Sequence, residues 1–168
     1  MSSLFNIRAL KSFVSAGFKS TTHALCEIVD NAFDAQAKKV RVIFLEKPRN
    51  NSSIITEIII VDDGNGMDQK TIAQALQIGG GTNLDEQKLV NEQKIGKFGF
   101  GLPVSSLSQC DRVTLYSWQN KDEFLTTHLD LNEQMNSGST DIQPVEKLSK
   151  TTTSCPCSCA SLTICEPI

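Results

Sequence analysis

A chain of 168 residues is one domain's worth of length, and its 39% hydrophobic and 21% charged residues support a packed core rather than disorder. The net charge of -3 disfavours a strongly basic nucleic-acid binder and leaves only a local patch open. No apolar run reaches the ~18 residues of a membrane span, and Met1–Arg8 lacks the shape of a signal peptide, so the expected location is the cytoplasm.

Residues 5–16 have a loosely helical pattern through Phe5, Leu10, Phe13 and Val14. Ser20 or Thr21 can cap a second helix over about 21–37. Lys39–Glu46 is rich in β-branched and aromatic residues and reads as a strand; Lys47–Ser52 is a turn, and Ile54–Val61 is the hairpin partner. Asp68 opens a third helix, with Ile72, Ala75, Leu76 and Ile78 spaced for one buried face. Residues 79–94 hold three consecutive glycines and a polar stretch, the pattern of a mobile loop. A short helix is expected over Leu102–Gln109, then a hairpin of Arg112–Trp118 and Glu123–Asp130. Residues 131–160 are polar and read as loop or partial disorder, before a last strand near 161–166. Helices and hairpins without strict βαβ alternation point to an α+β sandwich, a sheet covered on one face by helices. The whole of 1–168 reads as one domain with its core at about 20–130.

The six cysteines fall into two groups: Cys26 and Cys110 stand alone, while Cys155, Cys157, Cys159 and Cys165 crowd the end. Without a secretory signal the expectation is reduced thiols. The Cys-x-Cys-x-Cys run lacks the paired Cys-x-x-Cys spacing of zinc sites, and no nearby His completes a set.

Three features carry chemistry. The first is the helix around Glu27. At about 100° per residue, Asn31 lies about 40° from Glu27, Asp34 about 20° to the other side and Asp30 about 60° away. Leu25, Ile28, Val29 and Ala32 take the apolar side. The strip fits a solvated helix face, and equally a set of hard oxygen ligands for a divalent cation. The second is Ile58–Asp68, where an apolar strand runs into Asp62-Asp63-Gly64-Asn65-Gly66-Met67. A carboxylate held at a strand end can accept from an amino group on a flat ring, and glycines let a ligand approach the backbone; a plain tight turn has the same composition. The third is Gly79-Gly80-Gly81-Thr82 followed by Gly96-Lys97-Phe98-Gly99-Phe100-Gly101-Leu102, whose backbone N–H groups can cradle phosphate. It is neither a Walker loop nor a dinucleotide fingerprint.

In this order and spacing the three features resemble the GHKL ATPase superfamily of gyrase, the ninety-kilodalton heat-shock chaperone, sensor histidine kinases and MutL, with the MORC proteins as relatives. The match runs through Glu27, Asn31, Asp34 and Ala35, then Asp62, Gly64, Gly66 and Met67, then Gly96 to Gly101. The stretch Gly99–Cys110 looks most like stand-alone bacterial members. The resemblance implies the Bergerat fold, a two-layer α/β sandwich with a mixed, mostly antiparallel sheet and helices on one face. It implies binding of ATP or ADP with Mg²⁺ and slow ATP hydrolysis.

By the same resemblance, Glu27 orients and deprotonates the attacking water, and Asn31 coordinates Mg²⁺. Asp34 and Lys38 stand near the ribose and phosphates. Asp62 accepts from the adenine amino group beside Gly64, and Gly66 and Met67 wall the adenine. Residues 79–97, with Gly80, Gly81 and Thr82, form a lid, and Gly96, Lys97, Phe98, Gly99, Phe100, Gly101 and Leu102 supply phosphate contacts. Thr163 is the candidate for the late Thr that closes the adenine site, although Leu162 replaces the preceding glycine. Pro103 stands where many relatives carry a lysine, which leaves Lys97 as the weaker phosphate-binding candidate. The expectation is an N-terminal domain of a longer protein, dimerising with ATP through that protein, with nucleic acid reached only through other domains. The alternative is a nucleotide-gated interaction module without significant turnover.

Overall fold

The computed structural model describes residues 20–77, 101–120, 123–137, 142–148 and 161–167. The expected helix at 5–16, the glycine loop at 79–97 and Cys155, Cys157 and Cys159 lie outside the described residues.

Helix α1, Thr21–Asp34, starts where Ser20 accepts the His23 N–H on its hydroxyl. Ala24, Ile28 and Ala32, four residues apart, form its buried stripe. It stops three residues short of the expected end. Gln36 takes a φ of 65°, and the Ala37 N–H turns back to the Ala32 carbonyl at 3.0 Å. A left-handed residue of this kind ends a helix by satisfying its last carbonyls.

Strands β1, Val40–Arg49, and β2, Ser52–Asp62, form the first hairpin. Asn50, at φ 53°, makes its turn, a conformation that Asn tolerates. Helix α2, Gln69–Ala75, is capped by Asp68, whose Oδ1 accepts the Thr71 N–H at 2.7 Å. Helix α3 is Gly101–Leu107, followed by β3, Cys110–Asn120, and β4, Glu123–Asp130.

The polar stretch expected as a loop carries two elements: α4, Leu131–Ser137, and β5, Glu146–Leu148. Asp130 caps α4 by accepting the Asn132 and Glu133 N–H groups, and Leu131 and Gln134 are buried. Strand β5 borrows its order from β4 through Phe124 opposite Leu148. Cap and edge pairing together replace the apolar periodicity that the stretch lacks. Strand β6, Ser161–Pro167, is the sixth strand of the sheet.

The sheet order is β1-β2-β6-β3-β4-β5, and every neighbouring pair is antiparallel. The last strand therefore sits in the middle. Register places Ile60, Thr163, Leu115 and Thr127 in one row across the sheet, and Ile58, Cys165, Val113 and Leu129 in the next. Ile58, Ile60, Val113, Leu115 and Leu129 from this face join Ile28 of α1, Ile72 of α2, Val104 and Leu107 of α3 and Leu131 of α4 in one core. The four described helices thus bury apolar residues against the same side of the sheet, the two-layer α+β sandwich expected. The other face carries the half-buried pair Trp118 and Phe124, with ring centroids 5.1 Å apart.

The outer half of the first hairpin reaches past this core: Ile43, Phe44, Leu45, Ile54 and Ile55 are exposed. Phe44→Ser is expected to change stability by no more than about 0.5 kcal/mol. Leu115→Ala, at a fully buried position, is expected to cost about 2–5 kcal/mol. The shift of the urea midpoint in each variant checks both values.

Candidate functional site

The site forms where α1, the end of β2 and the start of α3 meet. Helix α1 and α3 pack together, which brings the glycine run's last member against the strip on α1. A Cβ on Gly101 would lie 3.5 Å from Glu27 Oε2, 3.6 Å from Asn31 Nδ2 and 4.0 Å from Asn31 Oδ1. Two of the motifs, 70 or more positions apart in the sequence by their own numbering, are therefore in contact through Glu27, Asn31 and Gly101. Asn31 Nδ2 is buried and has no hydrogen-bond partner among the described residues. A buried amide donor without a partner is costly, unless something not in the chain accepts from it. A phosphate oxygen suits the Nδ2, and a hard cation suits the Oδ1 of the same amide. Among the described residues, Glu27, Asp30 and Asp34 do not gather into a metal cluster; a cation held by the Asn31 Oδ1 would take its other ligands from bound oxygens. That is the usual state of Mg²⁺ beside a polyphosphate.

The second part is the turn after β2. Asp62 is 8% exposed and its Oδ1 accepts the Gly64 N–H at 2.9 Å, which sets the carboxylate's orientation at the strand end. Gly66 has a φ of 66°, the left-handed region where glycine carries no penalty. The Met67 N–H donates to Ser117 Oγ at 2.7 Å, and Gln119 Nε2 donates to the Gly66 carbonyl at 3.5 Å. The fully buried Ser117 of β3 thus fixes the turn for which the family resemblance implies an adenine wall. Met67 itself packs against the core.

Asp63 has a different task from its neighbour. Its Oδ1 accepts the backbone N–H groups of Lys38 at 2.7 Å and Lys39 at 2.8 Å. These two donors, Lys39 first, hold its carboxyl below the ordinary carboxylate range. A depressed folded-state value means that the contribution to stability is present above the ordinary carboxylate range and is lost as pH falls through the lowered one. Acid titration followed by circular dichroism should accordingly leave the α1–β1 connection intact at pH 5.

Of the residues singled out by sequence, Glu27, Asn31 and Gly101 are brought together, as are Asp62, Gly64, Gly66 and Met67. Asp34 lies half-buried on the last turn of α1, and Lys38 is exposed just beyond it. Leu102 is half-buried against the core. Gly80, Gly81, Thr82, Gly96, Lys97, Phe98, Gly99 and Phe100 lie outside the described residues. Thr163 stands opposite Ile60 and Leu115 in register, whereas the position opposite both Asp62 and Ser117 is Ser161. Asp63 and Ser117, which hold the turn, and Ser161, opposite Asp62 in register, are not among the residues that the sequence singles out. Only Asp63, adjacent to Asp62 in the motif, carried a local signal.

The model of the histidine kinase-, DNA gyrase B- and HSP90-like ATPase family matches residues 19–158. The chain belongs to this family. Protein MICRORCHIDIA 6 of Arabidopsis thaliana is 27% identical over 108 residues, covering 64% of this chain and 15% of that protein. ATPase MORC2A of Mus musculus is 30% identical over 105 residues, covering 60% of this chain and 10% of that protein. The chain thus spans between 10% and 15% of the length of these relatives. The crystal structure of the N-terminal domain of a DNA repair protein superposes with a TM-score of 0.59 at 16% identity, over 98% of this chain and 42% of that one. At that identity the likeness concerns the fold of this GHKL-type domain and nothing further. No described helix is long and apolar enough to cross a membrane.

Proposed function

We propose that this domain binds ATP and ADP with Mg²⁺ and hydrolyses ATP slowly. The observation that carries the reading is the buried Asn31 Nδ2, without a hydrogen-bond partner among the described residues, beside Glu27 and close to Gly101 at the start of α3. Family membership supports it, as does the likeness to ATPase MORC2A of Mus musculus. Asp62 accepts from the adenine amino group, and Gly64, Gly66 and Met67 shape the pocket around the base. Asn31 holds Mg²⁺ together with ligand phosphates; the cation, when bound, neutralises charge on the transferring group. Glu27 orients water for attack and accepts its proton. Lys38, Asp34, Gly101 and Leu102 line the ribose and phosphate side. The glycines and Lys97 of the run before α3 contact the phosphates, and residues 79–97 close over them. Closure is coupled to dimerisation of the full-length protein in a cytoplasmic setting.

Thermal shift or calorimetry with ATP and Mg²⁺ tests the binding. Ligand at 100 times its dissociation constant is expected to add about 2.7 kcal/mol of stability. A folded sample without any shift at millimolar ATP and Mg²⁺ contradicts the reading. Hydrogen exchange over 79–101 tests closure: greater protection with a non-hydrolysable ATP analogue than with ADP is expected, because only the γ-phosphate distinguishes them.

A second reading, binding without significant turnover, is favoured by one feature. Pro103, buried in α3, occupies the place of the family's phosphate-binding lysine. Steady ATP turnover that vanishes in Glu27→Ala would decide for hydrolysis, and tight binding with no turnover would decide for the module.

A further inference from the structure

The turn that carries Asp62 and the end of α1 are knitted together by more than strand pairing. Beyond the last ladder pair, Val40 opposite Asp62, the Asp63 N–H donates to the Lys39 carbonyl at 3.3 Å. The Asp63 side chain takes the Lys38 and Lys39 N–H groups on one oxygen. One step further, the Asn65 N–H donates to the Ala35 carbonyl at 2.8 Å. Ala35 is the C-cap of α1, and its own N–H returns to the Asn31 carbonyl at 3.0 Å. Gly64 lies so close to the Ala35 carbonyl that a Cβ would stand 2.8 Å from its oxygen. The connection 35–39 and the turn 62–65 are therefore joined by four hydrogen bonds and one close backbone approach, with Asp63 making three of those bonds, two of them through its side chain.

We propose that Asp63 is a positioning residue that locks base recognition at Asp62 to the Glu27–Asn31 helix, so that the two ends of one nucleotide are bound at a fixed separation. The inference rests on the nucleotide reading above. Its physical basis is that of any two-point ligand. The adenine end and the phosphate end help each other only while the protein holds their sites at the span the ligand requires. A joint that loosens lowers the effective concentration of the second site once the first is occupied. Asp63 touches neither end in this role. Lys38 and Lys39 offer backbone N–H groups with fixed directions, and a single carboxylate oxygen between them sets the angle at which α1 leaves the turn.

The test compares the affinities of adenosine and of ATP with Mg²⁺ for the whole chain, wild type against Asp63→Ala. Adenosine engages the base site alone, so its dissociation constant is expected to stay within about twofold, whereas that of ATP should rise about tenfold or more as the effective concentration falls. Asp63→Asn keeps an acceptor oxygen at the same reach and is expected to retain most of the ATP-to-adenosine ratio. If Asp63→Ala does not fold, Asp63→Glu carries the same test, because its extra methylene displaces the acceptor while keeping the charge. In the free variant, exchange at the Lys38, Lys39 and Asn65 amides should rise together. An equal loss for both ligands, or an unchanged ratio, indicates a merely structural role and overturns the inference alone. A folded wild type that binds neither ligand overturns the nucleotide reading, and the inference with it.

Discussion

Asp62→Asn is expected to abolish detectable ATP binding, whereas Glu27→Ala should leave the dissociation constant within a few-fold of wild type. The difference follows from what each side chain is asked to do. Asp62 stands at a strand end, 8% exposed, with one oxygen accepting from the Gly64 N–H. A carboxylate there is an acceptor-only group, the kind that the proposed adenine amino group requires. Asn in its place presents donors as well, and a buried mispaired donor costs ~1–3 kcal/mol or more. The Gly64 contact can survive through the Asn carbonyl, so the fold should persist. In the proposed mechanism Glu27 acts on the attacking water, which the ground-state complex does not need. Its loss should instead reduce turnover by ~10²–10⁴-fold, the usual worth of a positioned general base. Calorimetry on both variants, with turnover measured in parallel, checks the pair. Equal loss of affinity would mean that the two roles are misassigned.

The second large effect contrasts two glycines of the same site. Gly64→Ala forces a Cβ to within 2.8 Å of the Ala35 carbonyl oxygen and 3.0 Å of Asp62 Oδ1. The first of these is backbone, tied to Asn65 and the helix end, and cannot swing aside. A destabilisation of about 1–3 kcal/mol is expected, as for other overpacked sites, together with loss of ATP affinity as the joint is prised open. Gly101→Ala meets only ordinary contacts at 3.5–4.0 Å. It sits at the first position of α3, where Ala costs the helix nothing. Its melting temperature should stay near wild type. Its methyl, however, points at Glu27 and Asn31, so ATP affinity and turnover should fall while the fold holds. Thermal melts with and without nucleotide separate the two. A Gly101→Ala protein with full ATP affinity would show that phosphate does not lie beside Asn31.

Much of this was legible in the linear chain because it depends on local periodicity. Helical spacing alone put Glu27, Asn31 and Asp34 on one strip of α1, and the strand-to-glycine transition at Asp62–Gly66 announced a turn open to a ligand. The hairpins and the short helix after the glycine run followed from β-branched runs and turn residues. Errors arose where order comes from neighbours. The stretch after Asp130 was too polar to suggest structure, yet an aspartate cap organises α4 and pairing with β4 organises β5.

What the sequence determined by itself was the set of chemical groups and their placement on individual elements: an apolar helix face with a carboxylate and amide strip, a carboxylate at a strand end, and a glycine run before a helix. Tertiary structure alone decided which of them meet. The pairing of β6 into the centre of the sheet, between β2 and β3, sets Ser161 rather than Thr163 opposite Asp62. Register between distant strands is chosen by the burial of whole faces, and no single residue encodes it. The same holds for the two adjacent aspartates, identical in chemistry. The alternation of a strand points Asp62 to the helix-covered face, while the Lys38 and Lys39 N–H groups capture Asp63. A one-dimensional pattern cannot assign those roles, because the donors that distinguish them stand 24 and 25 residues away.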